Sequence, residues 1–416
     1  MARICIVTAG HLSTCPRMLK AADALAAAGH RVRVVSARYI DWAVAADLEV
    51  GRSRPGSWAW TVVDAGRRAG RWRHAGRGLR FRAAKVLAEM AGPARCPLPV
   101  AARAYGHTYP ELVSAAALGG PMDLVYGGGG ALAAAAAIGR RAGAPYALDL
   151  EDFHSAEQDD SPPARLAHGL AERIERAVLP GAAFLTAGSA AIAAAYRDKY
   201  GVKPITINNT FPLPARAPAL TSRLGAGLRL YWFSQTIGPR RGLEDAIRAM
   251  GTGGIPGELH VRGRVEVAYF ESLVRLAEDV APALKVVQHE PAPPDAMVDL
   301  CAGYDVGLSL EQGHVLNREL CLTNKAFTYV LGGLAVAFTD TPGQRALADD
   351  LGEGAILCRP GDIRGLAAGL TRWAQDEAGL LRAKTAAWQA AARRWHWEHP
   401  LERGALFQVV TRVVGS

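Results

Sequence analysis

The segment Ser234-Gln235-Thr236-Ile237-Gly238-Pro239-Arg240-Arg241-Gly242-Leu243 joins a short apolar run to an amphipathic one. Two guanidiniums beside a helix N-terminus could hold a diphosphate, because bidentate charge-assisted bonds add to the amides of the helix end. A solvated arginine pair is the plainer alternative. Further on, Lys325 falls in the first turn of a helical stretch, Lys325–Leu331, behind Thr323 and Asn324 as candidate caps. A cation there opposes the helix dipole, which points to an anionic ligand, although surface lysines also occupy such positions.

The first half offers different chemistry. Asp149-Leu150-Glu151-Asp152-Phe153-His154-Ser155 crowds three acids and an imidazole at the end of an apolar run, where loops of wound sheets carry function. Its spacing is D-x-E-D, which is not a DxD metal motif. The run Gly127–Gly130 could turn bare amides toward an anion or hydroxyls, or serve only as a flexible turn. The loop Thr8–Thr14 has a single glycine, Gly10, followed by His11. Lacking G-x-G-x-x-G, it argues against a dinucleotide fingerprint, and Gly10 is equally an ordinary turn or a point of close approach to a sugar.

These loops need a scaffold, and the hydrophobic periodicity supplies one. Strands are expected at Ile4–Ala9, Val32–Ser36, Trp60–Val63, Leu124–Tyr126, Tyr146–Leu150, Phe184–Ala187 and Ile205–Ile207, alternating with helices such as Pro16–Ala28 and Ala164–Val178. Residues 208–227, with three prolines, interrupt the pattern. A second series follows at Leu228–Ser234, Leu259–Val261, Leu284–Gln288, Val306–Leu310, Ala335–Thr339 and Ala355–Leu357, with helices at Gly242–Met250 and Lys325–Leu331 among them. This predicts an α/β chain of two Rossmann-like, doubly wound domains facing a central cleft that takes the ligands. The domains are expected at 1–208 and 228–395, joined by a linker over 209–227 and followed by a terminal helical segment over 396–416. By itself the terminal helix, Pro400–Val414, reads as a cap on the second domain.

Composition narrows the classes. No apolar stretch approaches the roughly 20 residues of a membrane span, and the start of the chain lacks a leader pattern, so a cytoplasmic protein is expected. Six scattered cysteines without a C-x-x-C pair fit a reducing cytoplasm and no structural zinc. Gly51–His107 holds twelve Arg or Lys against two acids, while the whole chain carries a net +9. The excess is therefore local, as for one anionic docking site. Within residues 66–95, Trp72, Leu79, Phe81, Leu87 and Met90 interleave with the arginines. That pattern fits an element meeting anionic lipid at the inner membrane face, a clamp for a phosphorylated acceptor, or a solvated basic helix.

The stretch Asn324-Lys325-Ala326-Phe327-Thr328-Tyr329-Val330-Leu331-Gly332-Gly333-Leu334-Ala335-Val336 resembles the NK-x-F-E-Y-x-x-x-G-x-P-V signature of retaining GT-B glycosyltransferases of family 4. The opening 11–36, the Glu151–Ser155 segment and the 233–250 block are similar to the same family in the same order. The resemblance implies a GT-B fold with the terminal helix crossing back onto the first domain. It implies transfer of a sugar, with retention and without a metal or other cofactor, from a UDP- or GDP-sugar donor to a glycan, lipid-linked or small-molecule acceptor.

Carried over by position, the resemblance makes Arg241 the cation that grips the donor diphosphate and Lys325 its partner. Ser234, Gln235, Gly238, Arg240, Glu311, Asn324 and Thr328 would complete the donor site. Gly10, His11, Gly128 and Gly129 would line the acceptor pocket, with Asp152 or His154 near the transferring sugar. The family glutamate that holds ribose falls on Thr328, which passes its role to Glu319 or weakens it. A nucleotide-sugar epimerase or hydrolase, and a tRNA-directed transferase suggested by the pI of about 9.4, are the competing readings. The lack of RNP-like aromatics argues against a pure RNA binder.

Overall fold

The computed structural model describes residues 1–67, 70–159, 161–221, 225 and 227–415. Residues 68 and 69 of the basic segment and 222–224 and 226 of the proline-rich connection lie outside the described residues. The chain divides into two compact units, Met1–Asn208 with Arg403–Ser416, and Asn209–Glu402.

The first unit is built on seven strands, β1 (Arg3–Thr8), β2 (Arg31–Arg38), β3 (Ala59–Asp64), β4 (Leu124–Gly128), β5 (Tyr146–Leu150), β6 (Leu185–Ala187) and β7 (Ile205–Thr206). They form one parallel sheet in the order β3-β2-β1-β4-β5-β6-β7. β4 and β5 are buried at every residue, as strands covered by helices on both faces must be. The alanine-rich helix Leu132–Ala142 comes close to β4, so close that a Cβ on Gly127 would sit 2.3 Å from the Ala135 Cβ. Small side chains on both partners permit that approach.

The second unit repeats the plan with six strands, β8 (Leu228–Ile237), β9 (Gly257–Val265), β10 (Leu284–His289), β11 (Val306–Ser309), β12 (Ala335–Thr339) and β13 (Ala355–Cys358). Their order is β10-β9-β8-β11-β12-β13, again all parallel. Alternation along β8 fills both layers. Leu230 and Trp232 enter the layer with Ile247 and Met250, whereas Tyr231 enters the layer with Phe327, Tyr329 and Trp395.

In each unit the strand order reverses beside the first strand, between β1 and β4 and between β8 and β11. The crevice at the carboxyl ends of such a strand pair is where open α/β sheets bind ligands. The expected strands all form. β8 is longer than expected and ends at Ile237, so Ser234 and Gln235 belong to an irregular strand end where the register with β9 breaks between Phe233 and Thr236.

The end of the chain differs in detail from the expected helix. Pro400–Gly404 is a π-helical turn, and the α-helix proper is Ala405–Val414, grouped with the first unit. The preceding aromatic run stays with the second unit. Trp395 stacks on Phe327 with ring centroids 5.9 Å apart, and the Trp397 amide donates to the Phe211 carbonyl at 2.8 Å.

A buried ion pair ties the first unit together. Arg17, in the helix Pro16–Ala27, donates from Nε and Nη2 to the two carboxylate oxygens of Asp149 at 2.8 and 2.5 Å, and from Nη1 to the Ile207 carbonyl. Thr186 and Arg17 share Asp149 Oδ1, so helix, β5, β6 and the end of the unit meet at one carboxylate. Arg17→Met strands that charge in the interior and is expected to lower unfolding free energy by about 3–5 kcal/mol. Urea denaturation checks this, and a loss below about 1 kcal/mol contradicts it.

Candidate functional site

At the switch point of the second unit, the loops after β8 and β11 and the helix Asn324–Leu331 bring four charged side chains together. Glu311, buried, is the centre. Lys325 Nζ lies 3.4 Å from its Oε1, and the Nη1 atoms of Arg241 and Arg318 each lie 3.8 Å from its Oε2. Three cations share one carboxylate, an excess of two positive charges. The two guanidiniums stand at ion-pair rather than hydrogen-bond distance, and among the described residues Glu311 Oε2 accepts no hydrogen bond. Their donors are not consumed by the carboxylate.

The backbone fixes this geometry. Gly242 is left-handed at φ 73, and a Cβ there would meet the Leu310 Cβ at 2.4 Å and the Leu310 carbonyl at 2.6 Å. No other residue lets the β8 loop pass so close to β11. Arg240 is also left-handed, at φ 63, unusual for a side-chain-bearing residue and typical of a functional turn. Gln312 then fastens the two loops by donating to Asp245 Oδ2 and the Leu310 carbonyl, both at 3.1 Å.

Burial and charge oppose one another at each group. Burial would raise the Glu311 carboxyl, but Lys325, Arg318 and Arg241 together hold it below its ordinary value. Burial pushes Lys325 down, only partly offset by Glu311. Arg241 is lowered by burial and then by Arg318. An anion arriving here relieves cation repulsion that Glu311 leaves uncompensated. The helix Asn324–Leu331 begins without a side-chain cap, since the Thr323 hydroxyl sits 3.2 Å from Ser309 Oγ instead. Its first amides reinforce the positive potential beside Lys325.

Of the donor residues expected from the sequence, Arg241, Lys325 and Glu311 are brought together. Ser234 and Gln235 lie in the irregular end of β8, Gly238 and Arg240 along the loop that follows it, and Asn324 opens the lysine helix. Thr328 is placed elsewhere. It is fully buried and its hydroxyl donates to the Asn324 carbonyl one turn back at 3.1 Å, so it has no free face for a ribose. Glu319 is half-buried against Gly313 and does not share in the cation cluster. Arg318, in the short helix Leu316–Leu320, is a member of the cluster that the sequence reading does not name.

In the first unit a cavity of about 580 Å³ opens at the β1/β4 switch point. Gly10, Gly129 and Gly130 present backbone to it, Leu166 and Leu170 form an apolar side, and Lys85, Glu151 and Gln158 add polar groups. Gly129, at φ 54, allows no Cβ, which would lie 2.7 Å from Thr8 Oγ1. Gly128 closes the strand and packs on Met18 and Asp149 rather than on the cavity. His11 is buried, with Nδ1 2.7 Å from Asp47 Oδ2 and Nε2 accepting the Tyr39 and Ile40 amides at 3.0 and 2.8 Å. Both ring nitrogens are engaged, so His11 shapes the loop and leaves the wall to Gly10.

Asp152 and His154 also stand behind the cavity wall, which their loop reaches through Glu151 and Gln158 instead. Burial, and then the neighbouring Asp152, raise the Glu151 carboxyl to about 7. His154 is buried, its Nδ1 joined to Glu157 by a very short hydrogen bond. Its backbone amide donates to Tyr196 Oη, which in turn donates to Glu175 at 2.6 Å. Among the described residues no group of three or more His, Cys, Asp or Glu side chains could hold a metal ion.

Burial would lower His154, but Glu157 and more distant carboxylates raise it to about 10. A raised folded-state value means stability present in full below the unfolded value of about 6.5 and lost as pH rises toward about 10. Glu157→Gln should therefore lower the melting temperature most below pH ~6.5, with the gap to wild type shrinking toward pH ~10. Thermal unfolding across this range tests it; a gap that widens with pH contradicts the assignment.

Residues 16–208 match the model of the glycosyl transferase 4-like domain. Among solved structures, the chain is similar to sucrose-phosphate synthase from Thermosynechococcus elongatus, at TM-score 0.71 and 14% identity over 100% of both chains. It is similar over 100% of both chains to HepE from Anabaena in complex with UDP-glucose, at TM-score 0.65 and 15% identity. A third similarity, at TM-score 0.67 and 9% identity over 100% of both chains, is to a TarM variant from S. aureus in complex with fondaparinux, α-GlcNAc-glycerol and UDP. No curated protein matches the chain by sequence. With two parallel sheets of this order, the chain has the fold of the GT-B glycosyltransferases, and residues 16–208 of its first unit are similar to the glycosyl transferase 4-like domain.

Proposed function

We propose that the protein is a glycosyltransferase that moves a sugar from a UDP-sugar to a hydroxyl acceptor, with retention and without a metal. The observation that carries this reading is the convergence of Arg241, Arg318 and Lys325 on Glu311 beside an uncapped helix N-terminus. The excess of two positive charges suits a diphosphate, and the UDP and UDP-glucose of the HepE and TarM complexes support uracil as the base.

In this reading the second unit binds the donor and the cavity of the first unit binds the acceptor. Bond breaking between the anomeric carbon and the diphosphate builds negative charge on the leaving oxygen. Arg241, Arg318, Lys325 and the helix amides are fixed in advance where that charge develops, which is electrostatic stabilisation of the transition state. The departing diphosphate takes the acceptor proton, and no protein nucleophile is required. Glu151, on the cavity wall, hydrogen-bonds an acceptor hydroxyl.

The helix Arg71–Ala91 supports membrane docking. Trp72, Leu79, Val86 and Met90 recur at intervals of seven or four residues, so they share one helix face, and all are exposed, Trp72 at 90% and Met90 at 80%. Arg71, Arg73, Arg80, Arg82 and Lys85 flank them, also exposed. An apolar stripe bordered by cations fits an anionic lipid surface. Among the described residues no helix is long and apolar enough to cross a membrane.

Arg241→Ala and Lys325→Ala should each reduce turnover of UDP-sugar by about a hundredfold to a thousandfold while the melting temperature stays within a few degrees. Near-normal turnover by both variants refutes the donor site. Vesicles containing phosphatidylglycerol should sediment the protein and pure phosphatidylcholine vesicles should not. Sedimentation indifferent to anionic lipid removes the membrane element.

A further inference from the structure

A second cavity, of about 700 Å³, lies between β3 and the helix Arg71–Ala91. Its lining includes Trp72, Arg73, Arg77, Arg80 and Glu111. None of these belongs to the cavity beneath Gly10 and Gly129.

Arg77 is the telling residue. It is only 8% exposed, with Nε 3.2 Å from Glu111 Oε1 and Nη2 donating to the Asp64 carbonyl at 3.3 Å. Arg80 Nη2 donates to the same Glu111 oxygen at 2.9 Å. That leaves Arg77 Nη1 and Glu111 Oε2 buried with no hydrogen-bond partner among the described residues. Both residues line the cavity. Leaving either atom unsatisfied in the interior costs about 1–3 kcal/mol, so a ligand able to satisfy both is favoured.

The two atoms specify the ligand. Arg77 Nη1 requires an acceptor, and Glu111 Oε2 requires a donor. Three arginines line the cavity against two carboxylates, and one of those, Asp64, already accepts the Gly66 amide at 3.0 Å. The balance selects an anion that also carries a hydroxyl. Trp72 at the rim offers a flat face to aliphatic C–H groups, as sugars and glycerol present them. We propose that this groove binds a phosphate ester of a polyol, the phosphate on Arg77 and Arg73 and a hydroxyl on Glu111. The ester is either a free sugar or glycerol phosphate or the headgroup of a lipid held by the neighbouring apolar stripe.

Gly76 provides a clean probe. It lines the groove, and a Cβ there meets no atom within 4 Å, so a side chain can start from that position; Gly76→Leu adds bulk to the lining and removes a helix-weakening glycine. Arg77→Gln removes the donor but risks the fold, which is why the glycine variant decides. Titration calorimetry with glycerol 3-phosphate and sedimentation with phosphatidylglycerol vesicles form the two arms, on the full chain.

Binding of glycerol 3-phosphate that weakens at least tenfold in Gly76→Leu supports a site for free esters. Vesicle binding alone, weakened at least tenfold in Gly76→Leu although leucine adds apolar surface, supports a headgroup site. If wild type binds neither probe, or Gly76→Leu binds like wild type, the proposal is overturned. The thermal response to UDP, which reports on the second unit, separates this outcome from any failure of the transferase reading.

Discussion

Everything in the second unit is arranged around one crowded electrostatic contact, three cations drawn onto the buried carboxylate of Glu311. In isolation each element of it is unfavourable. Lys325 and Glu311 are desolvated, Arg241 and Arg318 repel one another, and the lysine opposes its own helix dipole. Glu311 lessens the conflict and leaves two positive charges in excess. A diphosphate is the natural complement of such a cluster, because it brings the missing charge and accepts the guanidinium donors that the carboxylate holds only at 3.8 Å.

The fold supplies the precision that this contact needs. Gly242 admits the β8 loop against Leu310, and Arg240 takes a left-handed turn to aim its neighbour. The first unit solves a similar problem with Gly129 above Thr8 and with His11, whose two ring nitrogens brace the loop that carries Gly10. Both sets of loops hang from the carboxyl ends of strands that flank a reversal in strand order. The same sheet plan serves two chemistries, one cationic and one mixed polar and apolar.

The scaffold was legible in the residues because parallel strands buried on two faces are continuous apolar runs, and each run ended in a glycine or polar punctuation. Arg241 and Lys325 were legible from their place at strand-to-helix junctions. Arg318 was not, because its role depends on a five-residue helix, Leu316–Leu320, with little periodicity to read. Thr328 and His11 were legible as positions but not as environments. One bonds back into its own helix and the other is enclosed by Asp47, and burial of that kind depends on contacts distant in sequence. The unmatched pair in the groove beside Trp72 likewise joins Arg77 to Glu111, 34 residues apart.

The claim that the cationic cluster is a diphosphate seat is tested most directly by calorimetric titration of UDP and of uridine into the wild type and into Lys325→Met. The account predicts that UDP binds the wild type at least a hundredfold more tightly than uridine, about 2.7 kcal/mol, and that this gap collapses in the variant. Equal affinities for UDP and uridine in the wild type, or an undiminished gap in Lys325→Met, would contradict it.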